Sequence, residues 1–150
     1  MNSSLSTAVA KDISSFMNSK GGTLFVGIAD DKKILGIQKD FETFGQGKQN
    51  DDGFQLHFVQ IMKNLLGVSS LELILLRFEE LDGQRIARID VTRSEEPVYL
   101  KVGDKTEFYV RIQGSSHPLN LEEAVKYISS HWPRYSRKID DQKTPTTNNV

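Results

Sequence analysis

An apolar stripe at helical spacing runs into two adjacent glycines and emerges as a short apolar run, and this change of period fixes how the front of the chain folds. Leu5, Val9, Ile13, Phe16 and Met17 recur at the spacing of one helix face, which predicts a helix over residues 5–18. Gly21-Gly22 stops it, because glycine accepts the left-handed cap conformation without steric cost. Thr23 to Ile28 then reads as a buried strand, short and rich in β-branched and aromatic residues. A phosphate loop needs the opposite order, glycines between a strand and a helix that opens with Lys and Ser/Thr. The helix cap is therefore the preferred reading of Gly21-Gly22, and ATP binding stands only as an alternative.

The same logic carries along the chain. Asp30 to Lys33 predicts a tight turn and Ile34 to Ile37 a returning strand, followed by a glycine-rich polar loop over 38–51. Phe54, Phe58, Ile61, Met62 and Leu65 predict a second helix over 52–66, ended by Gly67. Leu71 to Glu80 and Gln84 to Thr92 read as two strands joined by an Asp82-Gly83 hairpin turn. Pro97 to Leu100 reads as an edge-like piece, since proline lacks a ladder donor. Glu107 to Ile112 alternates, with Phe108, Val110 and Ile112 expected inward and Tyr109 and Arg111 outward. Gly114 to Pro118 is expected as a loop, and Asn120 with Glu123 opens a third helix closed by Pro133. Hairpins dominate this order, so the fold class is α+β, a mixed and mainly antiparallel sheet with about three packed helices. One domain is expected over 1–133, with a polar, frayed or disordered tail over 134–150.

Composition narrows the chemistry. The chain of 150 residues has no cysteine, which excludes disulfides, thiolate metal sites and cysteine nucleophiles. It shows neither a signal peptide nor a long apolar span, so a cytoplasmic protein without membrane association is expected. The formal net charge of -1 means that any site for a polyanion must be a local patch. His57, His117 and His131 lack metal-ligand spacing and are expected in packing or surface roles. Asp51-Asp52, Glu95-Glu96 and Asp140-Asp141 are expected as solvated or capping positions.

Three segments, taken in order, resemble the Schlafen AlbA-like (AlbA_2) family. Ile13 to Ile28 is similar to its "A-F-x-N-x-x-G-G-x-L-x-x-G-V" signature, Ile34 to Ile37 to its "I-x-G-I" return strand, and Phe108 to Ser116 to its "F-Y-x-R-x-G-S-S" segment. Phe54 to His57 and His131-Trp132 also look like bacterial members. The resemblance covers roughly residues 8 to 132 and implies a DNA-binding or RNA-binding domain, with a regulatory role such as transcriptional regulation. Older labels for the family imply an ATPase-like domain, and some Schlafen proteins are RNA endonucleases that use acidic residues. This chain carries Ala29 where the family often has an acid, with Asp30 one residue later, and no acidic motif precedes its first helix. Nuclease activity is therefore not expected, and Asp30 remains as the one candidate metal ligand.

With that resemblance, Arg111 and Tyr109 become the leading candidates. Arg111 leads into Gly114-Ser115-Ser116, whose hydroxyls and backbone donors suit a phosphate, and Tyr109 is placed to stack on a base. Lys20 and Lys101 extend the positive stripe, and Arg134, Arg137 and Lys138 are possible further contacts. The competing reading is a solvated sheet face, or Arg111 held in an ion pair with Glu107 or another carboxylate. The expected function is nucleic-acid binding through Lys20, Lys101, Tyr109, Arg111, Ser115 and Ser116, with no cofactor and no catalysis. The alternatives are a homodimeric assembly module and a degenerate divalent-metal ribonuclease.

Overall fold

A computed structural model describes residues 3–29, 31–37 and 50–143. Helix α1 (Ser3–Met17) leads through Gly21 into β1 (Gly22–Val26), as the change of period predicts. Helix α2 (Asp51–Leu66) starts on Asn50, whose side chain accepts a hydrogen bond from the Gly53 amide. A 3-10 helix (Val68–Leu73) precedes β2 (Ile74–Leu81), which turns through Asp82-Gly83 into β3 (Gln84–Val91). Two small hairpins follow, β4 (Leu100–Val102) with β5 (Lys105–Glu107), and β6 (Tyr109–Ile112) with β7 (Ser115–Pro118). Helices α3 (Leu121–His131) and α4 (Pro133–Lys143) end the described chain. The fold is α+β, and every described strand pair is antiparallel.

Strand β3 is the middle of a three-stranded sheet, with β1 and β2 on its flanks. Ala87, Ile89 and Val91 of β3 and Val26 of β1 face a core shared with Val9, Ala10, Ile13 and Met17 of α1 and Phe54, Phe58, Met62 and Leu66 of α2. Burying each of the larger side chains contributes about 1.5–3 kcal/mol. A second, smaller core gathers Phe108, just before β6, and Val110 of β6 with Trp132, against Leu119, Ala124, Tyr127, Ile128 and Tyr135.

Four details depart from the sequence expectation. The apolar start of the predicted strand at Leu71 belongs instead to the 3-10 helix, whose turn Ser70 closes by donating to the Gly67 carbonyl through both its amide and its hydroxyl. Ile34 to Ile37 makes one bridge, Ile28 with Ile34, rather than a strand. Gly27, at φ 100°, bends the chain there, and its carbonyl accepts from both Leu35 and Gly36. Gly114 to Pro118, expected as a loop, supplies β7. The polar stretch from Arg134, expected to fray, forms α4: Pro133 ends α3 and also takes the first helical position, where its missing N–H costs nothing. Tyr135 holds α4 to the second core. The predicted loop over 38–51 falls largely outside the described residues.

Candidate nucleic-acid interface

Hairpin β6–β7 lies against α1, and three residues of that helix and one from the turn after it receive it. Ser15 and Phe16 stand three and four residues after Asp12 and so share its helix face, and Ser19 continues that side into the turn after Met17. The Arg111 backbone amide donates to Ser19 Oγ at 2.9 Å, which fixes the start of the Arg111 side chain. Its Nη1 donates to Asp12 Oδ1 at 3.3 Å and to Ser116 Oγ at 3.0 Å. Ser116 Oγ in turn donates to Asp12 Oδ1 at 2.6 Å and lies 2.8 Å from Ser15 Oγ. The guanidinium carbon sits 4.7 Å from the centroid of the Phe16 ring, a cation–π contact.

The ion pair is partly open, with 27% of the Arg111 side chain and 36% of the Asp12 side chain exposed. Solvent screening holds such a pair to about 1 kcal/mol or less. Its role is orientation more than energy. Nη1 is anchored, whereas Nε and Nη2 engage no partner among the described residues. The predicted ion-pair alternative therefore holds in part, with Asp12 and not Glu107 as the carboxylate.

Tyr109 corrects the sequence reading. It is only 7% exposed and belongs to the main core, so its ring offers no face to a base. Its hydroxyl donates to the Glu107 carboxylate, and burial first, then that bond and charge, push its pKa up to about 12. The reason lies in the placement of β6. Phe108 and Val110 feed the second core, while Tyr109 feeds the first, so the beginning of the strand has no solvent face. Ile112, expected inward, is exposed beside the Gln113-Gly114 turn.

The remaining candidates divide. Ser116 joins the Arg111 cluster, and Ser115 is exposed on the same hairpin opposite Ile112. Lys20 is exposed in the α1–β1 turn, one residue from Ser19. Lys101 is exposed on the separate β4–β5 hairpin, beside a small groove lined in part by Ser69, Ser70, Pro97 and Tyr99, and makes no hydrogen bond to the Arg111 cluster. Asp30 lies outside the described residues, and among those described no group of three or more His, Asp or Glu is placed to hold a metal. Neighbouring Asp31 makes the predicted turn, accepting from the Lys33 amide at 2.9 Å. Asp51, expected solvated or capping, pairs with Arg85.

Sequence reasoning overlooked Asp12, Ser15, Phe16 and Ser19 as partners of Arg111. The available signal was the polar strip of Asp12 and Ser15, continued by Ser19 in the turn, running beside the apolar stripe of a helix that had to be half buried.

No helix among the described residues is long and apolar enough to cross a membrane. No curated protein matches the chain. Its fold is similar to that of the DIP2311 protein from Corynebacterium diphtheriae, whose crystal structure superposes with a TM-score of 0.60 at 20% sequence identity. The likeness covers 91% of this chain and 22% of that one, so this chain spans about a fifth of that protein's length. The family model described as "Schlafen, AlbA_2" matches residues 1–120, four-fifths of the chain, and with the helix–glycine–strand front and the Arg111 hairpin it shows that the chain belongs to the Schlafen AlbA_2 family.

Proposed function

We propose that the chain binds the phosphate backbone of a nucleic-acid strand across the seam between α1 and hairpin β6–β7. The observation that carries this reading is the half-anchored guanidinium of Arg111, held by Asp12, Ser116 and Phe16 while Nε and Nη2 engage no partner among the described residues. A planar fork fixed at one corner loses little entropy on meeting a phosphate. Lys20 and Ser115 supply further backbone contacts, Ser116 positions Arg111, and Lys101 extends the path if the strand continues past β4. Tyr109 takes no stacking role. Family membership supports the same class of partner. Backbone contacts of this kind carry no sequence information, so the binding is of low specificity and suits a regulatory or architectural role.

The test is fluorescence anisotropy with labelled single- and double-stranded DNA and RNA of about twenty nucleotides, across a salt series. Affinity is expected to fall steeply with salt, with a log–log slope of about −2 to −3 for the two or three cations proposed. Absence of binding at low salt, or a flat salt response, overturns the reading.

A homodimer is the second reading, favoured by one observation. Leu121 and Val125 lie one turn apart on α3 and are 83% and 56% exposed, with Ile112 of the hairpin 47% exposed. Apolar side chains this open are covered in a symmetric pair. Light scattering at rising concentration tests it, and a strict monomer removes it.

A further inference from the structure

A second, separate site lies where α4 crosses the strap Arg93-Ser94-Glu95-Glu96. The strap is pinned from three sides. The Ser94 amide donates to the Met17 carbonyl at 2.8 Å, the Trp132 indole N–H donates to the Ser94 carbonyl at 2.9 Å, and Arg93 Nη2 donates to the His131 carbonyl at 3.2 Å. Between strap and helix opens a groove of about 1030 Å³, of which Trp132 and Tyr135 are the aromatic lining. Such a volume matches a small organic ligand.

Its charges are sorted in an unusual way. Arg93, Arg134 and Lys138 line the groove, and none of them has a carboxylate partner among the described residues. Glu95 and Glu96 also line it, contributed by the strap, and they too have no ion-pair partner among those residues. His131 lines the groove beside them, its ring stacked on Tyr127 and its carbonyl accepting from Arg93. A continuous polyanionic strand would have to run past both glutamates, which repel it. A small molecule with a phosphate at one end and hydroxyl or amino donors at the other satisfies cations and carboxylates together, and an aromatic ring on it meets the half-buried Tyr135.

We propose that this groove binds a free mononucleotide, its phosphate on Arg93, Arg134 and Lys138 and its sugar hydroxyls or exocyclic amine towards Glu95 and Glu96. The site is independent of the Arg111 seam. The test is calorimetric titration of the full chain with adenosine and uridine 5′-monophosphates, with adenosine and inorganic phosphate as partial ligands. At least one monophosphate is expected to bind more tightly than either part, and R134A/K138A is expected to weaken it by roughly tenfold or more. Because both side chains are exposed, circular dichroism should show this variant folded. Lack of binding of either monophosphate at millimolar concentration overturns the proposal, as does equal affinity in R134A/K138A. Loss of labelled-oligonucleotide binding in R134A/K138A without any nucleotide binding also overturns it, since the groove would then belong to the strand path. Failure of K20A or R111A to affect oligonucleotides would overturn only the seam reading.

Discussion

Asn18 and Val98 exchange a reciprocal pair of hydrogen bonds, Nδ2 to the Val98 carbonyl and the Val98 amide to Oδ1, both at 2.8 Å. The same Nδ2 donates to the Tyr109 carbonyl at 2.9 Å. One fully buried side chain just past the end of α1 thus satisfies three backbone groups from two segments. Asn18→Ala leaves those groups without partners in a dry core. The expected loss is about 2–4 kcal/mol of unfolding free energy, at roughly 1–3 kcal/mol per stranded group with partial relaxation. Urea denaturation followed by circular dichroism measures it, and a loss under 1 kcal/mol would show that Asn18 is not the pin.

The two glycines that follow are constrained for different reasons. Gly21 stands at φ +73°, and a Cβ there would lie 2.6 Å from the Val91 carbonyl oxygen. Gly22 has an ordinary φ, but a Cβ there would meet the Phe16 ring at 2.5 Å. Gly21→Ala therefore combines left-handed strain with a backbone clash and is expected to cost about 2 kcal/mol or more. Gly22→Ala meets only a ring, so the double variant Gly22→Ala/Phe16→Leu should recover part of its loss. Thermal denaturation of the three variants distinguishes the two mechanisms, and equal losses that Phe16→Leu does not relieve would reject the distinction.

How far the sequence carried depends on what each signal encodes. The α1–β1 corner was legible because periodicity changes at Gly21-Gly22, and the Asp82-Gly83 hairpin because turn chemistry is local. Helix α4 was not, since its hold on the fold passes largely through Tyr135 and the Trp132 cluster rather than through an apolar stripe. Tyr109 misled for a related reason. Alternation identifies two faces of a strand but not whether both are covered, and β6 is packed on both sides at its start. Arg111 was legible as a candidate; its partner Asp12, 99 residues away, was not, because ion pairing between distant segments leaves no periodic trace.

Asp90 gives the outer face of the sheet a pH dependence. Its carboxylate accepts from Thr23 and Arg77 and from Arg88 beyond them, and these contacts draw its pKa from 3.8 down to about 2. A depressed carboxylate adds stability above its unfolded pKa and gives it up as pH falls through the folded value. The contribution is therefore full at neutral pH and lost between about pH 4 and pH 2. Asp90→Asn should be less stable than the parent at pH 7, and the difference should have largely gone near pH 2. Parallel denaturation curves at the two pH values check this, and a pH-independent difference would point to lost shape rather than lost charge.

Asp12 gives the sharpest discrimination at the seam, because the nucleic-acid reading predicts that removing this acidic residue improves binding. Asp12 both orients Arg111 and cancels part of its charge. Asp12→Asn keeps an oxygen for Ser116 and Nη1 but removes the negative charge from the phosphate path. Affinity for a labelled oligonucleotide should rise about two- to fivefold at low salt, the size of a screened surface charge of up to about 1 kcal/mol. The salt slope should steepen by up to one unit, as the guanidinium counts fully against phosphate. Arg111→Ala must act oppositely, lowering both affinity and slope. If Arg111 were only a structural tie between α1 and β6, both substitutions would lower stability and neither would move the slope. Anisotropy at two salt concentrations on Asp12→Asn and Arg111→Ala therefore separates a strand-binding cation from a buttress, and parallel falls in affinity for the two variants would decide for the buttress.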